Sequence, residues 1–166
     1  MKTECLRAAG IWVDSDRVSS LKEFGIILYS GEITGMLGLV GSGITVVADA
    51  LSGRKKLEKA IVADAAGQMG IAVKELEKSA AEADSREKLM ISIYRWILNR
   101  CQVIIFHNVL EGADLLMRDG MVEVINLAHK KGLGFLLFSS NKKELYELCD
   151  HIYILNRGQI VEELRK

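Results

Sequence analysis

The chain is 166 residues long, the size of one domain, and is 49% apolar and 27% charged, which suits a folded globular unit and excludes a disordered one. Its 22 lysines and arginines balance 22 aspartates and glutamates, so no global field draws it to nucleic acid or to an acidic membrane. No apolar run approaches a membrane span, Met1 to Cys5 leads into no signal-peptide core, and Cys5, Cys101 and Cys149 are too scattered for a disulfide framework or a zinc module; a cytoplasmic location without membrane insertion is expected.

In chain order, apolar runs at 26–29 and 33–39 flank the turn-like Tyr29-Ser30-Gly31-Glu32 and predict two strands. Gly38-Leu39-Val40-Gly41-Ser42-Gly43 follows. Then Val47, Ala50 and Leu51 recur at helical spacing over 44–51, with Gly53 as a stop. Residues 54–84 are hard to read. Ala60–Ala63 fits a short strand and Val73–Ala83 a polar helix. Ser85 caps a helix running to about Arg100, with Leu89, Met90, Ile93 and Ile97 on one face. Val103–Phe106 predicts a buried strand, Asp114–Lys131 a helix, Phe135–Phe138 a second buried strand and Lys142–Leu148 a short helix. Ile152–Leu155 and Gln159–Glu163 form a hairpin about Asn156-Arg157-Gly158. Continuous apolar strands alternating with helices predict an α/β fold, with a mainly parallel sheet covered on both faces. No repeat or linker divides residues 1–166, so a single domain is expected.

The strongest local signal is Gly38-Leu39-Val40-Gly41-Ser42-Gly43-Ile44-Thr45. It keeps the frame of the phosphate-binding pattern G-x-x-x-x-G-K-[ST], with Ile44 in the lysine position. Backbone N–H groups and a helix N-terminus can cradle an anion whatever side chain follows the last glycine. Thr45 still offers a hydroxyl to magnesium. Losing the lysine's charged hydrogen bond costs roughly 1.5–3 kcal/mol. Read alone, the glycines need make only a tight turn.

Gly31-Glu32-Ile33-Thr34-Gly35-Met36-Leu37-Gly38 through Thr45, continuing to Ala50-Leu51-Ser52-Gly53, resembles the start of an ATP-binding-cassette (ABC) nucleotide-binding domain. It is most similar to the C-terminal cassette of bacterial simple-sugar importer ATPases of the ribose and galactose type. Residues 11–29 resemble the cassette's opening strands. Leu98–Asp114 is similar to its second acidic motif and D-loop, Gly134–Asp150 to its switch strand and following helix, and Ile152–Val161 to its final hairpin. The resemblance implies a P-loop core with antiparallel edge strands, ATP or ADP with Mg²⁺ as ligand, and work as a homodimer or as a transporter subunit peripheral to the membrane. It places Asp114 in the D-loop.

Several positions depart from the pattern that the resemblance implies. The family's magnesium-organising aspartate and catalytic glutamate correspond to His107 and Asn108. Imidazole is a poor partner for a hard cation, and an amide accepts no proton; loss of a general base alone removes about 10²–10⁴-fold in rate. The switch histidine corresponds to Asn141. The ATP-clamping LSGGQ segment falls on Ala83-Asp84-Ser85-Arg86-Glu87, which lacks its glycines and adds carboxylates. The adenine-stacking aromatic maps near Ser15, with Trp12 out of register, and the Q-loop glutamine maps to Ala65 or Gln68. Only 42 positions separate Gly43 from Ser85, too few for the family's helical subdomain. These departures predict a degenerate cassette without conventional hydrolysis, in a regulatory or assembly role in carbohydrate uptake. Two other classes stay open: an active ATPase using unorthodox residues, and a protein-interaction module whose phosphate loop is a relic.

Other residues admit plainer readings. His107 with Asn108 either touches a ligand at a strand end or fills the space of a lost metal site. His129, beside Lys130 and Lys131, suits a helix C-terminus. His151 reads as structural, Cys101 and Cys149 as core thiols, and Arg54-Lys55-Lys56 as a solvated helix end. The three histidines are too dispersed for a metal cluster.

Overall fold

The computed structural model describes residues 3–13, 20–51, 59–63, 71–74, 102–108 and 115–166. Three strands, β1 (Glu4–Val13), β2 (Leu21–Tyr29) and β4 (Lys59–Ala63), form an antiparallel sheet in the order β2-β1-β4. Six strands form the main sheet, in the order β5-β6-β7-β3-β8-β9. These are β3 (Ile33–Leu37), β5 (Ile71–Lys74), β6 (Val103–His107), β7 (Gly134–Ser139), β8 (His151–Asn156) and β9 (Gln159–Arg165). All pairings from β5 to β8 are parallel, and β9 closes the sheet as an antiparallel hairpin partner of β8.

The central strands read as unbroken apolar runs because both their faces are buried. Val103 and Ile105 of β6, and Leu136 and Phe138 of β7, face a core built with β1, β2 and helix α1 (Ile44–Leu51). Their neighbours Ile104, Phe106, Phe135 and Leu137 face the opposite core. That core is closed by Met121, Ile125 and Ala128 of α2 (Leu115–Lys130) and by Leu145 of α3 (Lys142–Leu148). Phe106 and Phe135 stack within it with ring centroids 6.0 Å apart. The result is the expected α/β arrangement: a mainly parallel sheet, helices on both faces and antiparallel strands at the edges.

Three expected elements change. β1 begins at Glu4, not near Ile11, and its partner β2 spans Leu21–Tyr29. β3 stops at Leu37 instead of Leu39: the Gly38 N–H bonds the Ser139 carbonyl at 3.2 Å, and Ser42 N–H then turns back to the Leu39 carbonyl at 2.9 Å. Val73 and Lys74, expected to open a polar helix, end the four-residue strand β5, which pairs in parallel with β6. The rest of that expected helix and the helix from Ser85 lie outside the described residues. Among the described residues, no helix is long and apolar enough to cross a membrane.

Candidate functional site

Parallel pairing brings the carboxyl ends of β6, β7 and β3 side by side, the edge where open α/β sheets bind ligands. His107 pairs with Phe138, and Leu37 with Ser139. The sequence-predicted loop leaves β3 at Gly38 and enters α1 at Ile44. Gly41 and Gly43 both adopt the left-handed region, with φ of 85° and 93°, which side-chain-bearing residues rarely tolerate. Gly43 caps α1 through its carbonyl, which accepts the Val47 N–H at 3.0 Å. Gly38 must lack a side chain as well: a Cβ there would press on Ser42 Oγ and lie 3.0 Å from the Ile44 Cβ. The loop is therefore closed on itself, with Ser42 buried.

Ile44, at the lysine position, is half-buried and packs against the core beneath the antiparallel sheet. Thr45 beside it is exposed. Leu39 is 68% exposed and Val40 fully so, which places two apolar side chains at the loop's tip. The loop is also held from behind. The Gly158 N–H, in the β8–β9 turn, donates to the Ser42 carbonyl at 2.7 Å.

Two left-handed glycines before a helix start build a concavity of the kind that turns N–H groups toward an anion, and the first N–H groups of a helix have no helical partner. These residues fit a phosphate group. They do not fit the hard divalent cation that accompanies ATP, because the nearby strand end supplies an imidazole and an amide where oxygen anions are needed.

His107 is half-buried, its ring edge-on to Phe138 at 5.9 Å. Its Nε2 is buried without a hydrogen-bond partner among the described residues. Asn108 takes a left-handed φ of 50°, a conformation asparagine accepts more readily than most residues, and its N–H bonds the Phe138 carbonyl at 3.0 Å. Asn141 is turned to a structural task. Its side-chain oxygen caps α3 by accepting the Glu144 N–H at 3.4 Å. Among the described residues no group of three or more metal-ligating side chains assembles.

The chain is similar to the ribose import ATP-binding protein RbsA of Yersinia pestis, at 26% identity over 112 residues. That match covers 66% of this chain and 22% of the relative. It is 22% identical over 170 aligned positions to the xylose import ATP-binding protein XylG of Geobacillus kaustophilus, covering 94% of this chain and 34% of that protein. The chain thus spans about a fifth to a third of the length of these curated relatives. No family model matches it. Among solved structures, the ADP form of MJ1267, an ATP-binding cassette of an ABC transporter, superposes with a TM-score of 0.77 at 14% identity, covering 98% of this chain and 91% of that one. CbiO1 from Clostridium perfringens, part of the ABC transporter complex cbiONQ, gives 0.72 at 12% identity, covering 98% and 89%.

The chain has a shortened ATP-binding-cassette fold, similar to that of sugar-importer ATPases. In this cassette the loop 38–45, His107–Asn108 and Ser139–Asn141 share one sheet edge. Asp114, Ser15, Ala65, Gln68, Cys101, the segment 83–87 and Arg54–Lys56 lie outside the described residues. Trp12 is partly exposed on β1.

Sequence reading missed a network beside the loop. Ser139 Oγ donates to the buried Glu144 carboxylate at 2.8 Å and accepts the Asn141 N–H at 3.0 Å. Arg118 of α2 reaches the same carboxylate at 3.6 Å. The signal was present: Asn141 followed three residues later by Glu144 has capping-box spacing.

Proposed function

We propose that this cassette is a non-hydrolytic, phosphate-holding domain, a regulatory or assembly partner in a carbohydrate-uptake system. One observation carries the reading: Ile44, at the position of the phosphate-gripping lysine, is packed on the core, while the backbone of the loop keeps its anion-cradling form. Binding would then rest on N–H groups and the helix terminus alone. His107 and Asn108 provide neither a magnesium-organising carboxylate nor a base for the attacking water. The sugar link rests on the import functions named for the relatives. On this reading the domain works in the cytoplasm, as a homodimer or against a transporter subunit at the membrane face, with no nucleic acid and no insertion of its own.

Thermal unfolding with ADP, Mg-ATP or inorganic phosphate tests it, alongside an ATP-turnover assay. Ligand at about 100 times its Kd adds roughly 2.7 kcal/mol, a rise in melting temperature of about 5–10 °C for a domain this size. The proposal expects such a shift, undiminished without magnesium, and no turnover. Magnesium-dependent turnover abolished by Thr45→Ala would replace it with an active ATPase. The exposed Leu39 and Val40 at the loop tip favour a second reading, a protein-interaction module. A melting temperature indifferent to millimolar ligand, with a defined oligomer on sizing, would establish that reading instead.

A further inference from the structure

β9 is the outer strand of the main sheet. β8 pairs with one of its sides, and among the described residues no strand pairs with the other. Its opening residues, Gln159 and Ile160, share a cleft with Lys22 to Gly25 of β2. The remainder faces solvent: Val161, Glu162, Glu163 and Arg165 are exposed, as is Lys166 after them, and only Leu164 is half-buried, against the core beneath α2 and α3. The β8–β9 register shifts between Ile154 and Leu155, leaving Val161 unpaired. The regular stretch therefore runs from Glu162 to Lys166, whose N–H donates to the Asp150 carbonyl at 3.0 Å.

That bond fixes which backbone groups are spoken for. In an antiparallel ladder, residues alternate between those whose N–H and C=O point to the partner and those whose groups point away. With Lys166 bonded to Asp150, and His151 opposite Arg165, the groups of Glu162 and Leu164 point to β8. Those of Glu163 and Arg165 point outward, toward the open edge. A free edge of this kind is a template for another strand.

The side chains say which strand. Glu162-Glu163-Leu164-Arg165-Lys166 is complementary to its own inverse. Set antiparallel to a second copy about a two-fold axis at Leu164, Glu163 faces the partner's Arg165, Glu162 faces the partner's Lys166, and the two leucines meet. Glu163 and Arg165 are the outward-pointing residues, so they become the hydrogen-bonded pairs. Leu164 takes the non-hydrogen-bonded position, where side chains come closest. An axis at Glu162 or Glu163 would oppose two carboxylates, and one at Arg165 two guanidiniums, which is destabilising. Charges on an edge usually keep other strands away; these attract a copy of themselves.

We propose that β9 is a self-pairing edge, through which two copies of this chain join antiparallel about Leu164 into one continuous sheet. The stretch lies beside the amino end of β8, whereas the loop 38–45 follows the carboxyl end of β3. The pairing therefore needs no nucleotide and stands or falls apart from the phosphate reading.

So short a pairing belongs at the small end of protein interfaces, and a dissociation constant of about 0.1 mM is expected. Sedimentation equilibrium of the full chain without nucleotide, from about 10 µM to 1 mM, tests it with Glu162→Lys and Lys166→Glu, both at exposed positions. Each variant alone sets like charges opposite each other and should weaken the dimer by about tenfold. Mixed in equal amounts, the two restore opposite charges and should recover the wild-type affinity as a heterodimer. Amide exchange supplies a readout that needs no variant: the Glu163 and Arg165 amides should slow as concentration fills the dimer, while those of Glu162 and Leu164 are slow throughout. A chain still monomeric at about 1 mM, or no recovery on mixing, overturns the proposal. So does a dimer whose 163 and 165 amides exchange freely, which would mean another surface. Protection of those amides at every concentration would mean that another segment of this chain covers the edge, and overturns it equally.

Discussion

At the scale of single residues, the most informative position is Ile44. Its identity was legible in the sequence as a departure from the phosphate-binding pattern, but its consequence was not. An isoleucine there could have stood over the loop mouth and closed it. Instead it packs onto the core with Val46 and Ile160, leaving the left-handed glycines at 41 and 43 in place. A lysine could run its aliphatic stem along the same surface and bring its ammonium to the loop. Ile44→Lys should therefore tighten ADP binding by about tenfold or more, the equivalent of the roughly 1.5–3 kcal/mol of a charged hydrogen bond, as read by calorimetric titration. An unchanged affinity would mean that the loop is no cradle at all. The neighbouring Asn141 shows the opposite limit of sequence reading: correspondence to a catalytic switch position was an inference from resemblance, whereas its cap on Glu144 N–H is local chemistry. Asn141→Ala should cost about 1 kcal/mol in urea unfolding, the usual worth of an N-cap; a loss near zero would show that Ser139 satisfies the helix start unaided.

At the scale of elements, legibility followed periodicity. The helices at 44–51 and 142–148 carry their own patterns and lie where the spacing places them, and the hairpin expected over 152–163 extends a little further at both ends, from His151 to Arg165. β1 was read short because its alternation is broken. Cys5 and Leu6 are both buried, and the ladder shifts register between Ala8 and Ile11, around Gly10 at φ 61°. A bulge of this kind masks a period of two. β5 was missed for another reason: a four-residue strand gets its conformation from its partner, here β6, and tertiary pairing overrides local preference. The contact between the β8–β9 turn and the phosphate loop had no sequence signal, since it joins residues 42 and 158. It makes Gly158 more than a turn residue. Its φ is 77°, and a Cβ would drive into the Ser20 carbonyl. Gly158→Ala should cost about 3 kcal/mol, the upper range for overpacking, and should weaken ligand binding at the loop in parallel. A variant that folds stably but binds as the wild type would uncouple the turn from the loop.

At the scale of the whole molecule, two cores on opposite faces of one sheet each bury an ionisable group that must stay neutral. Cys5 and Tyr153 belong to the core beneath the antiparallel sheet and Cys149 to the core beneath α2 and α3. Burial is the leading cause in all three. It pushes the Cys5 thiol up to about 11, the Cys149 thiol to about 12 and the Tyr153 phenol to about 12. The unfolded chain surrenders these protons at ordinary values, about 8.5 for a thiol and 10 for a phenol. Between those values and 11–12 the folded state binds more protons than the unfolded one, so stability is full below about pH 8.5 and falls as pH rises toward 12. Denaturation midpoints should drop between pH 9 and 11, and Cys149→Ala should flatten that drop even though it lowers stability at every pH. Cys5 and Cys149 should also resist alkylation at pH 8 until the chain is unfolded, since the thiolate is the nucleophile and both thiols are buried. A midpoint indifferent to pH from 8 to 11, or rapid native-state labelling of either cysteine, would mean that water reaches these cores and that the sheet is less completely covered than its burial indicates.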